Sequence, residues 1–199
     1  MAMTFYMNEP LSVMRTWDSS PRIPKHVQSI FKSISDFREH QRVVAIWYLK
    51  NGDLFPLMDS MISSGFIPTE FVHAVSSPTG LRDNKGAEDN GLVVFDGNRR
   101  LVAYNILIDP SILLNPRTGT LTVVEVGMLG GKMFGKIEDL IDLFQAAVVK
   151  SKAFHKVFSH LSSSPEVPVL KYNPAIYSLP EAVAASVSVK RMSKEEQIR

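Results

Sequence analysis

The chain has 199 residues, is 45% hydrophobic and 21% charged, and carries 22 Lys+Arg against 20 Asp+Glu, a formal net charge of +2. That composition supports one packed domain with appendages. It excludes a disordered chain and a nucleic-acid binder driven by bulk charge. There is no cysteine, which rules out disulfides, thiol nucleophiles and Cys-ligated zinc or iron–sulfur sites, and which fits a reducing compartment. No apolar run reaches the roughly 18–20 residues of a membrane span. The N-terminus lacks the basic and apolar regions of a secretory signal. The expectation is a soluble cytoplasmic protein with no membrane partner.

Residues 1–24 read as an N-terminal arm in which "TFYM" and "LSVMRTW" have strand composition, punctuated by Pro10, Pro21 and Pro24. From Lys25, the residues Val27, Ile30, Phe31 and Ile34 recur at three- and four-residue spacing and predict a helix with an apolar stripe. Gln41 to Lys50 continues the helical reading. Asn51-Gly52-Asp53 interrupts it, with Gly52 expected to be left-handed at the helix end and Asp53 expected to cap the next helix. "LFPLMDSMISSG" predicts a short helix with Pro56 in its first turn, Leu57, Met61 and Ile62 facing inward, and Gly65 closing it. A strand is expected around Glu70 to Val75. Ser77 to Gly91 is polar and turn-rich, so it reads as a loop.

"GLVVFDGNRRLVAYNILIDP", Gly91 to Pro110, reads as strand, tight turn and helix. Arg99 and Arg100 then fall in the first turn of the helix, where the helix dipole favours anions and disfavours cations by roughly 0.3–1 kcal/mol each. Two readings stand. In the structural one, Asn98 or Asp96 caps the helix, Gly97 supplies a positive φ, and the arginines are solvated or pair with Asp96, Asp83, Glu88 or Asp89. In the functional one, free N–H groups at the helix start and two guanidiniums hold phosphate.

Downstream, Arg117 to Leu129 alternates polar and apolar residues and suggests a strand. Lys136 to Leu161 is strongly helical, and Val167 to Tyr172 is a short strand. Ser178-Leu179-Pro180-Glu181 is a capping box before another helix. A second capping box, Ser193 to Glu196, stands barely one turn from Arg199. A single turn does not hold as an isolated helix. The expectation is therefore that the chain belongs to a longer protein or that its tail docks on a partner. Mixed helices and strands give an α+β class, a small mixed sheet with flanking helices. The organisation expected is the arm (1–24), a domain (25–116), and a strand and helical extension (117–199).

Other motifs carry less. "GGKMFGKI", Gly130 to Ile137, satisfies G-x-x-x-x-G-K, but Ile137 stands where a phosphate loop needs Ser or Thr for Mg²⁺. The five histidines, His26, His40, His73, His155 and His160, show no metal-ligand spacing and read as surface or packing residues. No acidic cluster identifies a metal site, so the metal ligands are unassigned.

At "VVFDGNRRLVAYNIL" the sequence resembles the ParB/sulfiredoxin superfamily, specifically its ParB-like N-terminal domain, which carries a D/E-G-N-R-R or G-E-R-R turn between strand and helix. The resemblance extends upstream through "GDLFPLMDSMISSGFIPTEFVHAV", Gly52 to Val75, and downstream through "YNILIDPSIL", and covers roughly residues 40–115. It implies a ParB/sulfiredoxin-like fold that binds ATP or CTP with Mg²⁺, an NTPase or switch in a bacterial or phage system of DNA partition, restriction or anti-phage defence. Gly97, Arg99 and Arg100 would contact phosphate, Asn98 would shape the turn, and Asp96 would orient the arginines or place a metal or water. The implied partners are nucleotide, DNA, and a protein partner or second copy. The chain lacks the sulfiredoxin cysteine, which excludes peroxiredoxin repair. It has Asn98 where partition proteins usually have Glu. The alternative is a non-catalytic protein- or DNA-binding module on the same scaffold.

Overall fold

The structure, a computed structural model, describes residues 4–64, 72–77, 81–82, 91–114, 117, 128–129, 132–133, 166–173 and 175. Its strands are β1 (Thr4–Pro10), β2 (Met14–Thr16), β3 (Val72–Ser76), β4 (Leu92–Asp96), β5 (Met128–Leu129), β6 (Lys132–Met133) and β7 (Glu166–Tyr172). Its helices are α1 (Lys25–Ser33), α2 (Phe37–Asn51), α3 (Leu54–Ser64) and α4 (Asn98–Ile108). Five strands form one mixed sheet in the order β1-β7-β3-β4-β2. β7 pairs with β3 and β4 with β2 in parallel, whereas β1–β7 and β3–β4 are antiparallel. The α+β class is thus observed.

The order of the strands forces a curl. β1 and β2 are the two edges, yet only the 3₁₀ turn Leu11–Val13 separates them in sequence. In a flat five-stranded sheet the outer strands stand about 19 Å apart. A three-residue 3₁₀ turn rises only about 6 Å, so the sheet must bend until its edges approach. The segment expected as an arm is therefore built into the sheet as both of its rims; "TFYM" lies in β1, whereas of "LSVMRTW" only Met14–Thr16 is strand and Leu11–Val13 is the 3₁₀ turn.

Both faces of the sheet are buried. Met14, Val72, Ala74, Leu92, Val94, Val167 and Val169 face the helices and join Phe31, Val44, Leu49, Leu54, Met58, Leu101 and Ile106 in the main core. Val75, Val93, Phe95 and Tyr172 form a second cluster on the opposite face. The strict alternation along β4 explains the split, because successive side chains point to opposite faces. α4 is buried almost all round, through Leu101, Val102, Ala103, Tyr104, Ile106 and Leu107, as expected of a helix at the centre of a domain.

Both stretches are helical, but the chain breaks between them at residues 34–36, so Ile34, expected in the stripe, stands just past the end of α1, and the stripe itself differs. Val27 and Phe31 are buried, Ile30 is 51% exposed, and Gln28 takes the inward position. The Gln28 amide donates to the carbonyls of Ser20 and Ile23 at 3.1 and 2.7 Å, which satisfies the loop before the helix. α2 starts on Asp36, whose carboxylate accepts from the Glu39 N–H at 2.8 Å. In α3, Met61 is buried and Leu57 half-buried. The expected side-chain placement of Ile62 and the expected closure at Gly65 lie outside what is described. β3 runs from Val72 to Ser76, and Glu70 lies outside the described residues.

At the α2–α3 junction the left-handed position falls one residue later than expected. Gly52 has φ −98, and the left-handed residue is Asp53, at φ 50. Gly52 is required for room instead. A Cβ there would stand 2.6 Å from Tyr48 Cδ1 and 2.7 Å from the Tyr48 carbonyl oxygen.

The helices expected over Lys136 to Leu161 and after Ser178, the tail box at Ser193, and most of the strand expected before Leu129 lie outside the described residues. Within "GGKMFGKI", Lys132 and Met133 form β6 and pair antiparallel with β5. Among the described residues no helix is long and apolar enough to cross a membrane.

Candidate functional site at the β4–α4 turn

β4 is buried from Leu92 to Phe95 and emerges at Asp96. Gly97 then turns the chain in the left-handed region, φ 87 and ψ 14, and α4 begins at Asn98. Only glycine enters that region without a steric penalty. The Gly97 carbonyl accepts the first helical bond, from Leu101 N–H at 3.0 Å. The turn therefore lies where strand, αL residue and helix were expected.

The residue at the N-cap supplies no side chain to the helix start. Gly97 is the N-cap residue and offers no side-chain cap, and no acidic residue stands in the first turn. The N-cap position thus falls to Gly97 and not to Asp96 or Asn98, which the structural reading placed there. Asp96 Oδ1 accepts from Gly97 N–H at 3.0 Å, one residue too early. Asn98 is the first helical residue, only 7% exposed, and its Oδ1 has no hydrogen-bond partner. The first N–H groups of any helix lack intrahelical acceptors. Here they coincide with two cations and with no anion in the same turn.

The arginines differ. Arg100 is half-buried, with contacts of its own. Arg99 is 45% exposed. Its Nη2 donates to the backbone carbonyl of Asp53 at 2.5 Å and lies 3.8 Å from Asp53 Oδ2. Asp53, rather than Asp96, is the acidic neighbour recorded for Arg99. Asp83, Glu88 and Asp89, also expected as partners, lie outside the described residues. Nothing in the sequence joins Asp53 to Arg99; the fold brings the α2–α3 junction to the mouth of α4.

Tyr48 of α2 lies within reach of the charges of both Arg22 and Arg99. Burial pushes its phenol up to about 12, and the charges of Arg22 and Arg99 pull the other way. Arg22, exposed in the loop before α1, was given no role by its sequence context.

Two buried histidines pack rather than react. His40 Nε2 lies 2.8 Å from Asp18 Oδ1, but the ring is 1% exposed and stands edge-on to Phe31. His73 stacks on Tyr172 in the second cluster, with ring centroids 6.0 Å apart. Among the described residues no group of three or more His, Cys, Asp or Glu is placed to hold a metal. Mg²⁺ often binds through one or two carboxylates and the phosphates it accompanies. Asp96 is the carboxylate beside the turn that suits that mode.

No family model matches the chain, and no curated protein or solved structure is found to be similar to it. The candidate site therefore stands on its own geometry.

Proposed function

We propose that the protein binds the phosphates of a nucleoside triphosphate at the β4–α4 turn. On this reading it is a ParB/sulfiredoxin-like domain acting as an NTP-dependent switch or NTPase in a DNA-related bacterial or phage system. The observation that carries it is the start of α4 on a left-handed Gly97, which supplies no side-chain cap, beside the exposed guanidinium of Arg99. Backbone N–H groups and the helix dipole favour an anion there. A guanidinium offers the paired donors that phosphate oxygens accept. The mixed sheet and the buried α4 support the fold part of the reading, and the DGNRR resemblance supports the choice of nucleotide. Gly97 lets the backbone approach the phosphates, Asn98 shapes the turn, and Arg99 and Arg100 hold charge. Asp96 meets a metal that arrives with the nucleotide, or orients a water.

Calorimetric titration with each of the four NTPs and Mg²⁺ tests this. One of them should bind, and Arg99→Ala and Arg100→Ala should each weaken it by about ten-fold or more, the loss of a charge-assisted contact. No binding at millimolar nucleotide, or binding indifferent to both substitutions, overturns the proposal. Salt-dependent DNA affinity without nucleotide dependence would instead favour the non-catalytic module.

A further inference from the structure

Arg99 is already engaged within the protein. Its Nη2 is held by the Asp53 carbonyl at 2.5 Å, with the Asp53 carboxylate 3.8 Å away. Asp53, at φ 50, is the one non-glycine residue with positive φ among the described residues. Aspartate tolerates that region better than most residues. The two acceptors of Asp53 therefore have separate consequences. The carbonyl fixes one end of the guanidinium. The carboxylate, 77% exposed, places a negative charge in water beside the cation that a phosphate would need.

We infer that Asp53 is an intramolecular competitor at the turn: its carbonyl orients Arg99, and its carboxylate occupies the same cation until a polyphosphate displaces it. This rests on the phosphate-binding reading above. A polyphosphate displaces a carboxylate because it carries more charge and also meets the N–H groups of α4, which the Asp53 carboxylate is not recorded to contact. Displacement frees the α2–α3 junction from its ionic tie to α4, so binding at the turn acts on α3 as well. Asp53 is a positioning residue in this account, since it acts through Arg99.

The test is calorimetric titration of the full chain with inorganic triphosphate at low ionic strength with a chelator present. Asp53→Asn and Asp53→Gly both keep the carbonyl and suit a left-handed backbone, so both variants should fold, with a melting temperature lowered by no more than the few degrees that loss of an exposed ion pair costs. Each should bind triphosphate about three- to five-fold more tightly than the natural chain, the scale of an exposed ion pair. In an Arg99→Ala background the Asp53 substitutions should change nothing, a coupling that a merely structural role would not produce. Equal or weaker binding by Asp53→Asn overturns the inference and leaves the phosphate reading standing. Absence of binding by every variant overturns both.

Discussion

Replacing Gly97 by valine will destabilise the protein by about 2–3 kcal/mol and abolish nucleotide binding, because a β-branched residue is forced into the left-handed region. Gly97 stands at φ 87 between a buried strand and a buried helix, so neither neighbour can rotate to relieve it. Its N–H is held by Asp96 and its carbonyl by Leu101, which ties both sides of the turn to its conformation. A substitution series read by chemical denaturation separates strain from other causes. Gly97→Asn should cost least, Gly97→Ala more and Gly97→Val most, following the tolerance of each residue for positive φ. Valine as stable as asparagine would mean that the turn is not held left-handed in solution.

The second large effect is a loss of stability in alkali centred on Tyr48. Burial raises its phenol to about 12, against an ordinary value of 10.0, and the charges of Arg22 and Arg99 offset part of the rise. The folded state therefore resists ionisation that the unfolded chain accepts. The stability difference is fully present below pH 10, declines as pH rises, and is gone above the folded value. Two units correspond to about 2–3 kcal/mol lost between pH 10 and 12. Tyr48→Phe removes this dependence. Unfolding free energies should fall more steeply with pH for the natural chain than for Tyr48→Phe across that window. Parallel curves would show that Tyr48 ionises without hindrance in the fold.

The turn from Leu92 to Ile108 was legible because three local signals coincide there: an apolar run, a glycine at the break, and a change to helical periodicity. α1 was legible from its apolar periodicity and α2 as a continuation of it, without the break between them. What the sequence hid is long-range. That "TFYM" and "MRT" are opposite edges of one sheet depends on pairing with β7 and β4, distant in sequence. The contact of Arg99 with Asp53 depends on how α3 and α4 pack, and no spacing encodes it. Ile30 misled because residues three and four apart share a helix face whether or not the face is wide enough to bury them all; Gln28 took the inward place by bonding the loop. Gly52 misled because a glycine can answer a need for room as well as a need for handedness, and the left-handed residue is Asp53.

The claim that the start of α4 is a phosphate site is tested most directly by the amide spectrum of the ¹⁵N-labelled protein during titration with nucleoside triphosphate. The resonances of Asn98, Arg99 and Arg100 should shift in a saturable manner, with Asp53 following as its carboxylate is displaced from Arg99. Saturable shifts elsewhere, with these amides unmoved, would place the anion at another site and contradict the account.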